Sequence, residues 1–416
     1  MKTLVTDIGL LAGIGTDVRK EGAAMSEVGC LKDAWLLIED ELIAGFGTMA
    51  EGLPSGADEC WSAAGRMVIP AFCDSHTHAV WAGSREREFE DKIRGLSYAE
   101  IAANGGGILN SADLLHRTSE DELFEQSIDR VREMMAAGSG AIEIKSGYGL
   151  NTADELKMLR VIRRIRETVP AVVKSTFLGA HAVARGMSRE DYVRLVCNEM
   201  IPAVAAEELA DFADVFCEQG FFTVDDTAEI LETAAKYGLR PKLHANQLAV
   251  SGGVQIGVAH GALSVDHLER TTQAEIDCLK GSSTMPTMLP GASFFLRDPY
   301  GNAKGFIEAG LGVALASDYN PGTSPSGDIR FVMALSCIRM RLTPEQAFNA
   351  VTVNSACAMD VSDIAGSIAV GKLANLIVAR PGFDTLGSLA YRYTTPFIEK
   401  VILRGRPLPS SDSSGN

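Results

Sequence analysis

The residues with the most chemical potential lie in Asp74-Ser75-His76-Thr77-His78, at the end of an apolar run. In an extended strand, side chains two positions apart point to the same face, so His76 and His78 can present two imidazoles to one point. Zinc and iron(II) accept imidazole, and ligands from elsewhere in the chain would complete such a site. His-x-His alone is a weak sign, since core packing also produces it. Two further candidates end comparable apolar runs: His244 in PKLHANQ and Asp318 in GVALASDYNPG. The run before Asp318 is too apolar for a surface strand, and an unpaired carboxylate there would be costly. Asp318 is therefore either a buried Asp held by backbone amides at a turn, or a metal ligand that also takes a proton from an attacking water. Three or four protein ligands leave a catalytic metal one open position for water. The pKa of that water can fall to about 7, which makes hydroxide available near neutral pH.

The elements that must position these residues are eight short apolar runs, 67–78, 141–149, 172–181, 213–222, 241–247, 263–269, 283–291 and 312–322. Each is apolar over a few residues, as in strands of a parallel sheet buried on both faces. Helical patterns over 120–138, 152–169, 223–238 and 272–281 separate them, with Thr152 and Thr223 expected as N-caps and Gly138, Gly238 and Gly281 as stops. Strand–helix alternation on this scale predicts an α/β protein with a (β/α)8 TIM-like barrel. A doubly wound open sheet is the runner-up, but no dinucleotide or P-loop glycine pattern occurs, and Gly105–Gly107 reads as a turn. Barrel strands end at one mouth. Of the seven histidines, His76, His78, His181, His244 and His267 stand at or just past those ends, whereas His116 and His260 fall in helix or loop text.

Both ends of the chain carry further strand patterns, at 31–47, 366–380 and 397–403, too short to build a core alone. The expected organisation is a small β-sandwich domain made from 1–64 plus 360–416, flanking a barrel over 65–359. The polar tail after 406 is expected to be disordered. Of 416 residues, 46% are apolar and 22% charged, the balance of a globular protein. There are 38 Lys and Arg against 54 Asp and Glu, a formal charge of −16, which argues against nucleic-acid or anionic-membrane partners. No run is long enough for a membrane helix and no targeting segment is evident, so the expectation is a cytoplasmic protein. The eight cysteines form no C-x-x-C and are expected to be buried, reduced thiols.

With these residues in view, DSHTH, HA at the fifth strand, DH at the sixth, SDYNPG at the eighth and the closing GSIAVGKLANLIV resemble the metal-dependent amidohydrolase superfamily. Within it, HTHAVWAGSREREFE, GLSYAEIAANGGGI, KSGYGL, FLGAHAV, KLHANQ, VDHLE and SDYNPGTSP resemble the imidazolonepropionase family of histidine degradation. The likeness runs over nearly the whole chain in order. It implies hydrolysis of the ring amide of 4-imidazolone-5-propanoate by a metal-bound hydroxide, giving N-formimidoyl-L-glutamate. It implies one metal per subunit, Zn²⁺ or Fe²⁺/Fe³⁺, held by His76, His78, His244 and Asp318, and it favours a homodimer. Arg85 would bind the substrate carboxylate through paired hydrogen bonds; the alternative is a surface Arg paired with Glu86 or Glu88. Tyr98 and Tyr148 resemble pocket tyrosines, His181 resembles a contact to the ring, and Asn320 a hydrogen-bond partner of the ring. His267 resembles a group that polarises the carbonyl or stabilises the oxyanion.

Two departures stand out. Gln247 occupies a position where some relatives carry Glu, and an amide is no general base. It can still hydrogen-bond the ring, leaving the proton work to Asp318 and His267. Asn375 replaces the usual Asp of the closing motif, remote from the mouth. Lys145 is expected to be a structural cation, or one standing just behind the metal ligands, rather than a carboxylated bridge between two metals. Competing functions are a cytosine or guanine deaminase of the same superfamily, which needs no carboxylate clamp, and a catalytically dead barrel acting as a binding protein, which would be expected to lose at least one of His76, His78, His244 and Asp318.

Overall fold

A computed structural model describes residues 1–96, 100 and 106–409. It begins with β1 (Lys2–Ile14), antiparallel to β2 (Gly29–Glu39), which turns at Asp40 into β3 (Leu42–Thr48). β4 (Glu59–Ser62) and β5 (Met67–Pro70) pair with β1 in parallel. The run 67–78, read from sequence as one strand, is divided at Ala71. β5 stays in the terminal sheet, and β6 (Phe72–Thr77) opens a second sheet. Proline explains the break, because Pro70 has no N–H to continue a ladder.

Among the described residues the second sheet has eight strands, all parallel and in chain order. After β6 come β7 (Ser139–Lys145), β8 (Val172–Ala180), β9 (Phe212–Cys217), β10 (Arg240–Ala245), β11 (Ser264–His267), β12 (Met285–Met288) and β13 (Ala314–Leu315). The ring closes just beyond β13. Asp318 N donates to His76 O at 3.0 Å, and His78 N to Tyr319 O at 2.9 Å. Closure therefore runs through the backbone of the residues singled out for chemistry, which fixes the ends of the first and eighth strands against each other. Below them Asp74 accepts from the Ser317 amide at 3.0 Å and its hydroxyl at 2.5 Å.

The chain then returns to the first sheet. β14 (Leu376–Ala379) pairs antiparallel with β5 and with β15 (Ile398–Leu403), and β16 (Arg406–Pro407) closes the edge. Ile8, Leu11, Leu36, Ile38, Val68, Ile368 and Leu376 form its core. Asn375 ties this sheet to the barrel by donating to Gly140 O at 3.3 Å and accepting from Arg404 N at 2.8 Å.

Helices Glu120–Ala136, Thr152–Thr168, Val224–Lys236 and Gln273–Leu279 cover the barrel. Thr223 caps its helix, but at Thr152 the cap is Asn151, whose side chain accepts from Asp154 N. Asn and Thr caps compete closely and each is worth about 1 kcal/mol, so adjacent candidates are not separable by type. Gly138, Gly238 and Gly281 have positive φ after their helices. The cysteines depart from expectation: Cys73, Cys197 and Cys217 are buried, but Cys30 and Cys60 are exposed, and none forms a disulfide among the described residues. The tail beyond residue 409 lies outside the described residues. No helix among the described residues is long and apolar enough to cross a membrane.

Candidate active site

Parallel closure brings His76, His78, His244 and Asp318 to one point at the mouth of the barrel. His76 Nε2 and His78 Nε2 each lie 3.6 Å from Asp318 Oδ1, and His244 Nε2 lies 3.4 Å from His78 Nε2. All four side chains are buried, and His76 Nε2 has no protein partner. The carboxylate separations exceed hydrogen-bond length, and an unpartnered buried ring nitrogen is costly. A cation accepting three imidazole nitrogens and one carboxylate oxygen removes both faults. The donor set fits a divalent metal.

The opposite ring edges of His76 and His244 are fixed from below, whereas among the described residues His78 Nδ1 has no hydrogen-bond partner. His76 Nδ1 is 2.6 Å from Asp266 Oδ2, and His244 Nδ1 is 3.1 Å from both oxygens of Asp214. Donating Nδ1–H to a carboxylate leaves Nε2 as a lone pair aimed at the centre and sets the tautomer. Burial dominates the charge state of the rings, pushing His76 and His78 well below the usual imidazole value and His244 down to about 4. Neutral rings are what ligation requires.

Asp214 and Asp266 share Lys145 as a counter-charge, and Lys242 adds a further pull on Asp266. Lys145 Nζ stands 2.9 Å from Asp214, 3.8 Å from Asp266 and 2.6 Å from Glu143, all fully buried. Lys242 pairs with the other oxygen of Glu143 and donates to Ser75 O at 3.1 Å. These groups alternate along the strands: Glu143 and Lys145 on β7, Lys242 and His244 on β10. The period of two puts them all inside the barrel. Lys145 stands behind the ligands, one of the two places expected for it, whereas nothing in the hydropathy of the runs that hold them marks Asp214, Asp266, Glu143 and Lys242. The available signal was a charged residue at every second place inside an otherwise buried run.

His267 ends β11 with φ of 84°, and Asp318 has φ of 53°. Positive φ is uncommon outside glycine, and His and Asp are among the residues that adopt it most readily; such conformations gather at functional sites. His267 Nδ1 faces Glu269 at 3.4 Å, and the ring centroid lies 5.2 Å from that of His244. Burial opposes protonation of His267, but Glu269, Asp318 and Asp266 outweigh it and raise the ring to about 9. Burial lifts Asp318 to about 7 against the pull of His267. A metal dication would pull it down again.

Above the cluster opens a cavity of about 470 Å³ lined by His78, Arg85, Tyr148, His181, His244, Gln247, His267, Asp318 and Asn320, and walled by Phe89, Phe216, Phe221 and Phe295. Tyr98 lies outside the described residues. His181 Nδ1 is 3.0 Å from Gly147 O, so Nδ1 carries the proton and Nε2 is an acceptor, and burial lowers the ring to about 3. Tyr148 is carried on a loop whose Gly147, Gly149 and Leu150 amides all donate to buried Glu155. Asn320 spends its amide within its own loop, accepting from Gly322 N and Thr323 N at 2.8 Å. Arg85 combines two sequence readings: its side chain is 7% exposed and pairs with Glu88 at 2.5 Å, yet it lines the cavity. His116 and His260 lie elsewhere, bonded to Gly149 O and Ile256 O.

The Amidohydrolase family model matches residues 67–408. Imidazolonepropionase of Flavobacterium psychrophilum is 49% identical over 98% of this chain and all of its own length. That of Thermoanaerobacter pseudethanolicus is 39% identical over 87% of this chain and 88% of its own length. Among solved structures, E. coli guanine deaminase superposes with a TM-score of 0.74 at 13% identity, over 98% of this chain and all of its own. A zinc-bound adenosine deaminase from Xanthomonas campestris gives 0.72 at 14%, over 97% of this chain and 92% of its own. These two similarities speak for the fold.

Proposed function

The chain belongs to the amidohydrolase family and, within it, to the imidazolonepropionases, and from that premise we propose how its residues divide the work on 4-imidazolone-5-propanoate. The ring C–N bond is hydrolysed to give N-formimidoyl-L-glutamate. His76, His78, His244 and Asp318 hold one divalent metal, zinc or iron. When bound, the metal supplies a Lewis acid and acidifies water towards neutrality.

Arg85 binds the propionate, and the phenylalanine walls exclude water from the ring. His181 offers Nε2 as an acceptor to a ring N–H. His267, held as an imidazolium by Glu269, donates to the carbonyl oxygen as negative charge develops there. Gln247 hydrogen-bonds the ring and moves no proton. Asp318, the one carboxylate of the cluster, takes the proton of the attacking water and returns it to the departing ring nitrogen.

The observation that carries this reading is the buried guanidinium fork of Arg85, held by Glu88 and lining the same cavity as His78, His244 and Asp318. Such a fork matches a carboxylate through two parallel hydrogen bonds. The test is an ultraviolet assay following loss of imidazolonepropionate, on apoprotein and on protein reloaded with Zn²⁺ or Fe²⁺. Turnover only after reloading is expected. Turnover of cytosine or guanine with imidazolonepropionate untouched would refute it.

A further inference from the structure

The charge balance of the cavity points to a second residue for the substrate carboxylate. The Arg85 guanidinium is already partnered by Glu88, and both side chains are more than nine-tenths buried. Glu88 is committed further, accepting from Gly107 N at 3.1 Å and from Asn110 at 3.3 Å. The Arg85–Glu88 pair therefore brings donors and shape to the cavity, but almost no net charge.

Lys92 also lines the cavity, one helical turn or so beyond Glu88 on the helix Glu86–Ile93. A lysine in a last helical turn ordinarily serves the carbonyls of its own helix. This one reaches across the mouth instead, donating to Gly322 O in the loop after Asp318, at 2.8 Å. Its Nζ lies 5.2 Å from the centroid of Phe295. Among the described residues no carboxylate forms an ion pair with it. An ammonium has three donors and this bond uses one.

Arg85 converges on the same place. A Cβ added to Gly322 would overlap the Arg85 guanidinium. Both cations thus meet at Gly322, four positions past Asp318, on the loop that brings the eighth strand to the mouth.

We propose that Lys92 is a second ligand of the substrate carboxylate: Arg85 orients that group through its planar fork, and Lys92 supplies the unneutralised positive charge that draws it in. This rests on the imidazolonepropionase reading for the identity of the substrate, though not for the chemistry recognised, a small carboxylate on a planar ring.

The experiment compares metal-loaded wild type, K92Q and K92R. Lys92 is partly buried on a surface helix, and both variants keep a hydrogen-bond donor of similar length, so both are expected to fold. Two readouts are taken: KM and kcat on imidazolonepropionate, and calorimetric binding of 3-(imidazol-4-yl)propionate and of its methyl ester. K92Q is expected to weaken both KM and acid binding about tenfold, a value between exposed and fully desolvated ion pairs. Its kcat and ester binding should stay within about twofold of wild type, and K92R should recover most of the loss. Equal losses for acid and ester, or no loss for either, would overturn the proposal, since both mean that Lys92 merely supports the loop. If wild type binds the acid but does not hydrolyse imidazolonepropionate, the substrate reading fails while the acid–ester comparison still decides the role of Lys92.

Discussion

Replacing Lys145 by Met probes whether the charges inside the barrel hold the metal ligands in place. The ammonium makes two short charge-assisted contacts, 2.6 Å to Glu143 and 2.9 Å to Asp214, and stands 3.8 Å from Asp266. Methionine matches its volume without its charge. Glu143 keeps Lys242, but Asp214 and Asp266 lose their nearest cation while staying buried. Removing one partner of a buried pair costs about 3–5 kcal/mol, so urea unfolding of the apoprotein should lose that much. The carboxylates respond as well. Burial works against ionised Asp214, yet His244 and Lys145 hold it well below the usual carboxylate range. Without Lys145 it rises, and its grip on the Nδ1 proton of His244 slackens; Asp266 follows at His76. Disturbing such outer partners lowers metal affinity roughly 10- to 100-fold. Chelator competition on the folded protein reads that loss, with Lys242→Met as comparison, because Lys242 carries the same buried charge and pulls on Asp266 but makes no ion pair with Asp214. If Lys145→Met stays within about 1 kcal/mol of wild-type stability and keeps wild-type metal affinity, the network does not position the imidazoles.

Metal affinity should also depend on pH with a defined sign. The apo carboxyl of Asp318 is raised to about 7 and must ionise to ligate, so metal competes with one proton. Affinity is full above that value and falls by about tenfold per unit as pH drops below it, because the ligand histidines are already neutral there; titrations against a chelator from about pH 5.5 to 8.5 would show it, and a flat profile would contradict it. Asp318→Asn should abolish turnover, with circular dichroism unchanged. Arg85→Ala should raise KM by roughly 2 kcal/mol, about thirtyfold, through loss of a buried carboxylate partner; an unchanged KM would move the propionate site elsewhere.

The barrel was legible because its strands are short apolar runs that end in polar residues, a pattern few other folds repeat this often. His76 and His78 could be paired on one face by the strand period alone, whereas their meeting with His244 and Asp318 needed the parallel closure that puts all strand ends at one mouth. The interior charges were harder to read. Lys145 and Glu143 look like any strand polar residue until β7 is seen to be buried on both faces, and Asp266 is hidden beside the more conspicuous His267. The break at Ala71 escaped because MVIPAFC stays apolar across it, and hydropathy cannot mark where a chain changes sheets. Lys92 escaped for the opposite reason: as a lysine among charges on an exposed helix it has no sequence signal, and only the position of Gly322 gives it a direction.

Gln247 shows how the electrostatics of the mouth can make up for a missing base. A carboxylate there would add negative charge beside a cluster already holding Asp318 and Glu269, and it would draw the proton of His267 towards itself. With an amide in its place, the pair Asp318 and His267 stands alone. Their surroundings differ in a useful way: Glu269 holds the proton on His267, while Asp318, facing the metal site, is the carboxylate placed to accept a proton and return it. A protonated His267 and a carboxylate at Asp318 assign acid and base without a third group. On this argument Gln247→Glu gains nothing at neutral pH, and by competing for the His267 proton it should lower kcat rather than raise it. A pH–rate profile of that variant with a higher neutral plateau than wild type would show that the pair needs help after all.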